Sequence, residues 1–363
     1  MNLYLDKSRT FQRCIDPDER IFRSPPSSTQ QATGFSGKVR DKIQKPTISV
    51  IMPVFNAGHF IDQAIASIRQ QTFKDFELII INDASTDNSE EIIKKHAQED
   101  NRIILTENQE NLGQARSRNK ALDIARGQFV AIMDADDVSL PNRLELEYEF
   151  LQNHQDVVLV GSGSELINEN NRILGKKIPP IESEMINYRL LFGNPMVAST
   201  VMFRTNIIRE FGGYKHEYQH AEDYYLYCLC AAKYKVANIQ DILVQYRQSP
   251  SSVTIISASR QVQLNNTYSI ALKYINNYQP FSIKETKSFI KAIHGLTNNP
   301  FQIVKSLVTI KKLTNAFLSK ESITPTIRSK ILEYCKTKRK IILASYVKSF
   351  IDLLSHHFRT LLR

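Results

Sequence analysis

FVAIMDADD, residues 129–137, is an apolar run of strand length that ends in three carboxylates within four positions: Asp134, Asp136 and Asp137. A buried strand that delivers acidic side chains to its C-terminal end is how an open α/β sheet presents oxygen ligands to a divalent cation. Alone, the same letters read equally well as a polar turn, because Asp favours turns. The flanking sequence decides between the two.

Upstream lie three more strand-length apolar runs, each followed by a helical pattern. TISVIMPVF (Thr47 to Phe55) is nearly continuous in apolar and β-branched residues, as a strand buried on both faces should be. Asn56-Ala57-Gly58 breaks it, and Phe60, Ile61, Ala64, Ile65 and Ile68 then share one helical face. FELIIIND (Phe76 to Asp83) leads to a helix capped at Asp87 or Ser89. RIILTEN (Arg102 to Asn108) leads to one from about Gly113 to Ala125, closed by Gly127. Downstream, Pro141 sits where a helix opens, and VVLVGSG (Val157 to Gly163) reads as a fifth strand. This alternation predicts an α/β fold, with a mostly parallel sheet flanked by helices and right-handed crossovers. Ligands of such sheets bind at the C-terminal strand edge, where Asn56, Asp83, Asn108 and Asp134 to Asp137 fall. Neither a phosphate-binding P-loop nor a G-x-G-x-x-G turn follows the first strand, so the ATPase and dinucleotide fingerprints are absent.

The rest of the 363-residue chain divides by composition. Residues 1–46 carry Pro, Ser, Gln and charge without apolar periodicity and read as linker or disorder. Residues 47–256 hold the α/β pattern. Residues 257–363 are helical and lysine-rich, with breaks near Pro280, Asn298 to Pro300 and Pro325. The net charge of +10 is uneven: from Gln261 to Arg363 there are 17 Lys/Arg against 4 Asp/Glu, which leaves the remainder slightly acidic. Ile178 to Val201 is irregular, with Pro179, Pro180, Gly193 and Pro195, and suits an active-site loop. AEDYYLYCLCAA (Ala221 to Ala232) predicts a helix with Glu222 and Asp223 in its first turn. Four cysteines without a zinc spacing read as reduced thiols. No secretory h-region opens the sequence and no run approaches the roughly 18 apolar residues of a membrane span.

Taken in order, TISVIMPVFN, NDASTD, NLGQARSRNKAL, DADD followed by LPNRL, FGGY, AEDY and YRQ resemble the family 2 glycosyltransferases of GT-A fold, which implies a Rossmann-like mixed, mostly parallel sheet flanked by helices, here with a basic α-helical C-terminal extension. The resemblance spans about residues 47–254. It implies an inverting, metal-dependent, hexosyl-type transfer from a nucleoside diphosphate sugar, of UDP type, to a glycan or lipid-linked acceptor in cell-surface polysaccharide synthesis. Asp136, the second Asp of the D-x-D motif, is then the ligand of a divalent cation (Mg or Mn), and Asp134 lies near ribose and diphosphate. Such a cation takes hard oxygen ligands, keeps phosphate oxygens and offsets the charge of the leaving diphosphate. Pro53, Phe55 and Asn56 match the first-strand end, and Asp83 the acceptor of the uracil N3–H. Arg118 and Asn119 match the Arg-Asn pair that faces base or phosphate. Asp223 matches the general base and Glu222 its acceptor-side neighbour. Many relatives carry Tyr-Arg-x-His later in the chain; here Ser249 stands at the His position, while Arg247 remains for the diphosphate.

The basic C-terminal region, with its amphipathic run from Ile341 to Leu354, suits contact with an anionic membrane, hence a cytoplasmic enzyme peripheral on the inner membrane face. Packing of these helices on the catalytic unit is the competing expectation. The alternative function is a basic membrane- or nucleic-acid-binding protein on a non-catalytic nucleotide-sugar fold. The tail lacks the aromatic and glycine patterns of common nucleic-acid modules, so no nucleic-acid partner is expected.

Overall fold

The structure, a computed structural model, describes residues 45–248, 257–297 and 299–361. All but the last two residues of the expected N-terminal linker, and Ser249, lie outside them. Nine strands form one sheet: β1 (Ile48–Val54), β2 (Phe76–Asn82), β3 (Ile103–Glu107), β4 (Phe129–Ile132), β5 (Val138–Ser139), β6 (Val157–Ile167), β7 (Ile173–Lys177), β8 (Met202–Arg204) and β9 (Lys235–Arg247). Their order is β3-β2-β1-β4-β8-β6-β9-β5, with β7 paired to β6.

The first half matches the sequence pattern. β3, β2, β1 and β4 are parallel neighbours, linked by α1 (Ile61–Arg69), α2 (Ser89–Glu99) and α3 (Gln114–Ile124). Alternate side chains of these strands enter different cores, as the two-residue period requires. Val50, Met52, Leu78 and Ile80 pack with α1 on one face. Ile51, Ile79 and Ile81 pack on the other.

The second half departs from this simple alternation, but not from the mixed, mostly parallel sheet that the resemblance implies. The expected fifth parallel strand does not neighbour β4, because the three-residue β8 inserts antiparallel between β4 and β6. β6 runs parallel to the long β9, and β5 pairs antiparallel with β9 just beyond the acidic turn. The sheet is therefore mixed. Residues 178–201 are also not one irregular loop. They hold α5 (Ser183–Leu190) and a 3-10 turn (Ala198–Thr200), so the irregular parts are the short connections at 178–182 and 191–197. The remaining helices of the α/β part are α4 (Arg143–Asn153), α6 (Thr205–Glu210) and α7 (Glu222–Lys233).

Four helices follow: α8 (Ser257–Ile275), α9 (Ile283–Ile293), α10 (Pro300–Lys320) and α11 (Pro325–Leu361). They pack on the α/β part. Phe289, Ile310, Phe317 and Ile331 share one hydrophobic cluster with Tyr188, Phe192 and Tyr227. The Tyr188 hydroxyl is 2.7 Å from the Thr314 hydroxyl. Among the described residues no helix is long and apolar enough to cross a membrane.

Candidate active site

β4 ends at Ile132, and the chain turns through Asp134 to Asp137. Ser199 pins the turn. Its hydroxyl accepts from the Asp134 amide at 3.0 Å and donates to Asp137. Asp137 is fully buried and also accepts the Arg247 amide at 2.8 Å. Burial, then the charges of Asp136 and Asp134, push its pKa well above the ordinary Asp value, and its bonds to Ser199 and Arg247 anchor the turn from beneath. Asp134 and Asp136 face a cavity of about 350 Å³. Burial, then the charge of Asp134, raises Asp136 to about 6.

The cavity draws its remaining polar groups from distant elements. Arg118 on α3 is buried and donates to Asp134 Oδ1 at 2.6 Å and to Glu222 Oε1 at 3.4 Å. Its guanidinium lies 5.2 Å from the Tyr214 ring centre. Glu222 and Asp223 open α7 and both line the cavity. Asn194 donates to Asp223 Oδ2 at 2.8 Å, and the Tyr224 amide bonds Oδ1 at 2.7 Å. Burial, then the charge of Glu222, raises Asp223 to about 6 against the lowering effect of Arg118. Lys177, at the end of β7, lines the same cavity, and burial lowers its pKa.

The expected nucleoside residues stand along the same sheet edge at β1 and β2, outside the cavity lining. Pro53 is buried within β1 opposite Ile81, while Phe55 is 49% exposed and Asn56 has φ +49°. Asn56 Oδ1 accepts the Thr86 amide at 2.8 Å, which joins the ends of the two strands. Asp83 is buried. It accepts Asn108 Nδ2 and the Leu112 amide on Oδ1, and the Gly113 amide on Oδ2 at 2.9 Å. The carboxylate thereby shapes the turn into α3, with one Oδ2 lone pair left over.

Two of the expected binding residues are engaged by the protein itself. Asn119 uses both ends of its amide on the Tyr214 backbone, each at 2.8 Å, and does not line the cavity. Arg247 lines the cavity, yet its guanidinium is bound by the carbonyls of Asp136 (2.7 Å) and Asn168 (2.9 Å) and by Gln63 Oε1 (2.9 Å). It ties the acidic turn to β9, with its charge turned toward protein oxygens. Ser199, Asn194 and Lys177 escaped the sequence reading. The first two lie in the Pro/Gly-rich stretch singled out as a loop, so position alone pointed to them. Nothing but strand alternation separates Lys177 from its exposed neighbour Lys176.

Among the described residues no group of three His, Cys, Asp or Glu forms a metal site by itself. The donors present still suit a hard cation. Asp134 Oδ2 and the Asp136 carboxylate face the cavity with no donor from another described residue, and their mutual repulsion is what a divalent ion relieves. Such a cation takes its remaining ligands from phosphate and water.

Residues 49–212 match the family model described as glycosyl transferase family 2. An uncharacterized glycosyltransferase of Methanocaldococcus jannaschii is 34% identical over 240 residues, covering 65% of this chain and 82% of the relative. The chain belongs to glycosyltransferase family 2. Another relative of this transferase is a UDP-Glc:alpha-D-GlcNAc-diphosphoundecaprenol beta-1,3-glucosyltransferase, WfgD, of Escherichia coli. It is 31% identical over 233 residues, or 63% of this chain and 87% of the relative. Solved structures share the fold. S. aureus TarS 1-349 in complex with UDP superposes with TM-score 0.50 at 19% identity, covering 83% of this chain and 89% of that one. The mannosyltransferase PcManGT from Pyrobaculum calidifontis, with GDP-Man and Mn2+, does so with TM-score 0.50 at 18% identity over 86% and 89%. The transferase has the GT-A architecture, with the C-terminal helices added.

Proposed function

We propose that this glycosyltransferase moves a sugar, with inversion, from a UDP-sugar to a hydroxyl of a glycan or lipid-linked acceptor in cell-surface polysaccharide synthesis. One observation carries the reading: two D-x-D carboxylates from β4 and a third from α7, Asp223, face a single cavity. Residues 47–256 are the catalytic unit, and residues 257–363 a helical addition to it.

Asp83, Phe55 and Asn56 receive the nucleoside at β2 and β1, and the diphosphate lies toward β4. Asp136 would hold a divalent cation, which would supply positive charge to the leaving diphosphate. Asp134, oriented by Arg118, borders the ribose and diphosphate. Asp223 takes the acceptor hydroxyl proton as that oxygen bonds to sugar C1, and the bonding pair from C1 leaves with the diphosphate. Glu222 stands beside the acceptor. Asn119 and Arg247 act as positioning residues, holding the Tyr214 turn and the acidic turn.

The name of WfgD supports a UDP-sugar donor and a diphosphoundecaprenol-linked acceptor. The mannosyltransferase bound to GDP-Man makes GDP the control to run. Calorimetry should show UDP binding more tightly than GDP, and only with Mn2+ or Mg2+. Asp136→Asn should abolish the metal dependence. Unchanged metal-dependent binding by the variant would remove Asp136 from the ligand set.

A further inference from the structure

The C-terminal helices pack their inner faces on the catalytic unit, but the outer face of α10 is not an ordinary polar surface. Phe301 is 86% exposed, Val304 61% and Val308 50%. Spacings of three and four residues put these side chains on one side of the helix. Asn299 fixes the first turn by accepting the amides of Phe301 (3.0 Å) and Gln302 (3.3 Å), so the exposed ring stands on an ordered helix end. Lys305, Lys311 and Lys312 are exposed on the same helix, which contains no Asp or Glu.

α9 extends this surface. Its inner face is buried through Phe289, Ile290 and Ile293, while Ile283 is 62% exposed beside Lys284, Lys287 and Lys291. Lys305 bonds Glu285 at 3.2 Å, which sets the first turn of α9 against the second turn of α10. The result is an apolar ridge flanked by six lysines, with Glu285 the one carboxylate on the described part of the hairpin.

We infer that the α9–α10 hairpin is the surface by which the transferase docks on an anionic lipid bilayer. An aromatic and three aliphatic side chains enter the headgroup boundary while the lysines meet lipid phosphates. A nucleic acid would use the lysines but leave Val304, Val308 and Ile283 without a partner. A second copy seated on the same face would set lysines against lysines. The same hairpin also reaches the connection that holds Asp223. His294, just past α9, bonds the Phe192 backbone and neighbours Gly193, and the next residue, Asn194, holds Asp223. The inference rests on the proposed lipid-linked acceptor only for its purpose, which is to bring such an acceptor to Asp223.

Flotation of the full chain with vesicles tests it. The protein should float with phosphatidylglycerol-containing vesicles and stay behind with pure phosphatidylcholine. Phe301→Asp with Val304→Asp should lower recovery on the order of tenfold or more. Lys311→Glu with Lys312→Glu should release the protein at lower salt. All four side chains are exposed, so melting temperature and UDP binding should match the unaltered chain. Equal flotation of the apolar double variant would overturn the assignment, as would failure of the unaltered chain to float. So would a dimer in light scattering that Phe301→Asp converts to monomer, which would make the face a contact between copies. Flotation is read without donor, so its failure leaves the transfer reading intact, whereas loss of UDP binding would sink that reading alone.

Discussion

In the proposed mechanism Asp223 carries the largest chemical demand of any single residue. A sugar hydroxyl gives up its proton only as its bond to C1 forms, so the base must be ionised and correctly aimed when that happens. The groups facing it are Glu222 and Asp134, which raise its pKa, Arg118, which lowers it, and Lys177, whose positive charge favours the carboxylate. The balance lies at about 6. Because the working form is the carboxylate, kcat/KM read at saturating divalent cation, which holds Asp136 ionised, should rise with pH through about 6 and fall about tenfold per unit below it. Asn194→Ala removes a donor that favours the ionised form and should move this acid limb to higher pH. Asp223→Asn should cut turnover by about 10²–10⁴-fold with UDP affinity unchanged. A profile flat between pH 5 and 7, or near-normal transfer by the Asn variant, would put the base elsewhere.

At the scale of elements, the junction between α3 and β4 shows how one residue type serves two purposes. The pattern suggested that Gly127 closes α3 as a left-handed cap. Its φ is not in that region, and its reason is proximity: a Cβ there would lie 2.5 Å from the Ser49 amide nitrogen and 2.8 Å from the Ile48 carbonyl carbon. Both are backbone atoms of the central strand and cannot swing aside. Gly127→Ala should therefore cost about 1–3 kcal/mol in chemical denaturation, and a neutral result would mean that the junction is plastic. The helix starts at Pro300 and Pro325 were legible for a local reason, since proline fits the first turn of a helix and no later turn. β1, β2 and β4 were legible because strands buried on both faces read as apolar runs. β8 was not, being three residues long and defined by its partners on either side. The same contrast holds in the site. Asp134, Asp136 and Asp223 sit at element ends that the pattern marks, so their convergence could be anticipated. Ser199 and Asn194 come from a connection, and the occupation of Arg247 by carbonyls depends on a strand, β9, whose polar sequence gave little periodicity.

For the whole molecule, the question is whether the helical addition is an appendage or part of the enzyme. Tyr188 on α5 answers in structural terms. Its ring packs 5.3 Å from Phe317 and 5.9 Å from Tyr334, its hydroxyl meets Thr314, and Phe192 stacks edge-on against it at 5.1 Å. Phe192 in turn begins the short connection that carries Asn194 to Asp223. The Asp223 side of the cavity is thus supported from behind by α10 and α11. Phe317 is fully buried in the shared cluster, so Phe317→Ala should destabilise by about 3–5 kcal/mol. Calorimetry should show one transition, shifted as a unit, because the cluster spans both parts. Below that transition the variant should keep its UDP affinity yet lose turnover, since the defect propagates through Tyr188 and Phe192 to Asn194. Two separate transitions, with the UDP-sensitive one unmoved, would mean that the helices merely rest on the transferase and that Asn194 and Asp223 keep their geometry without them.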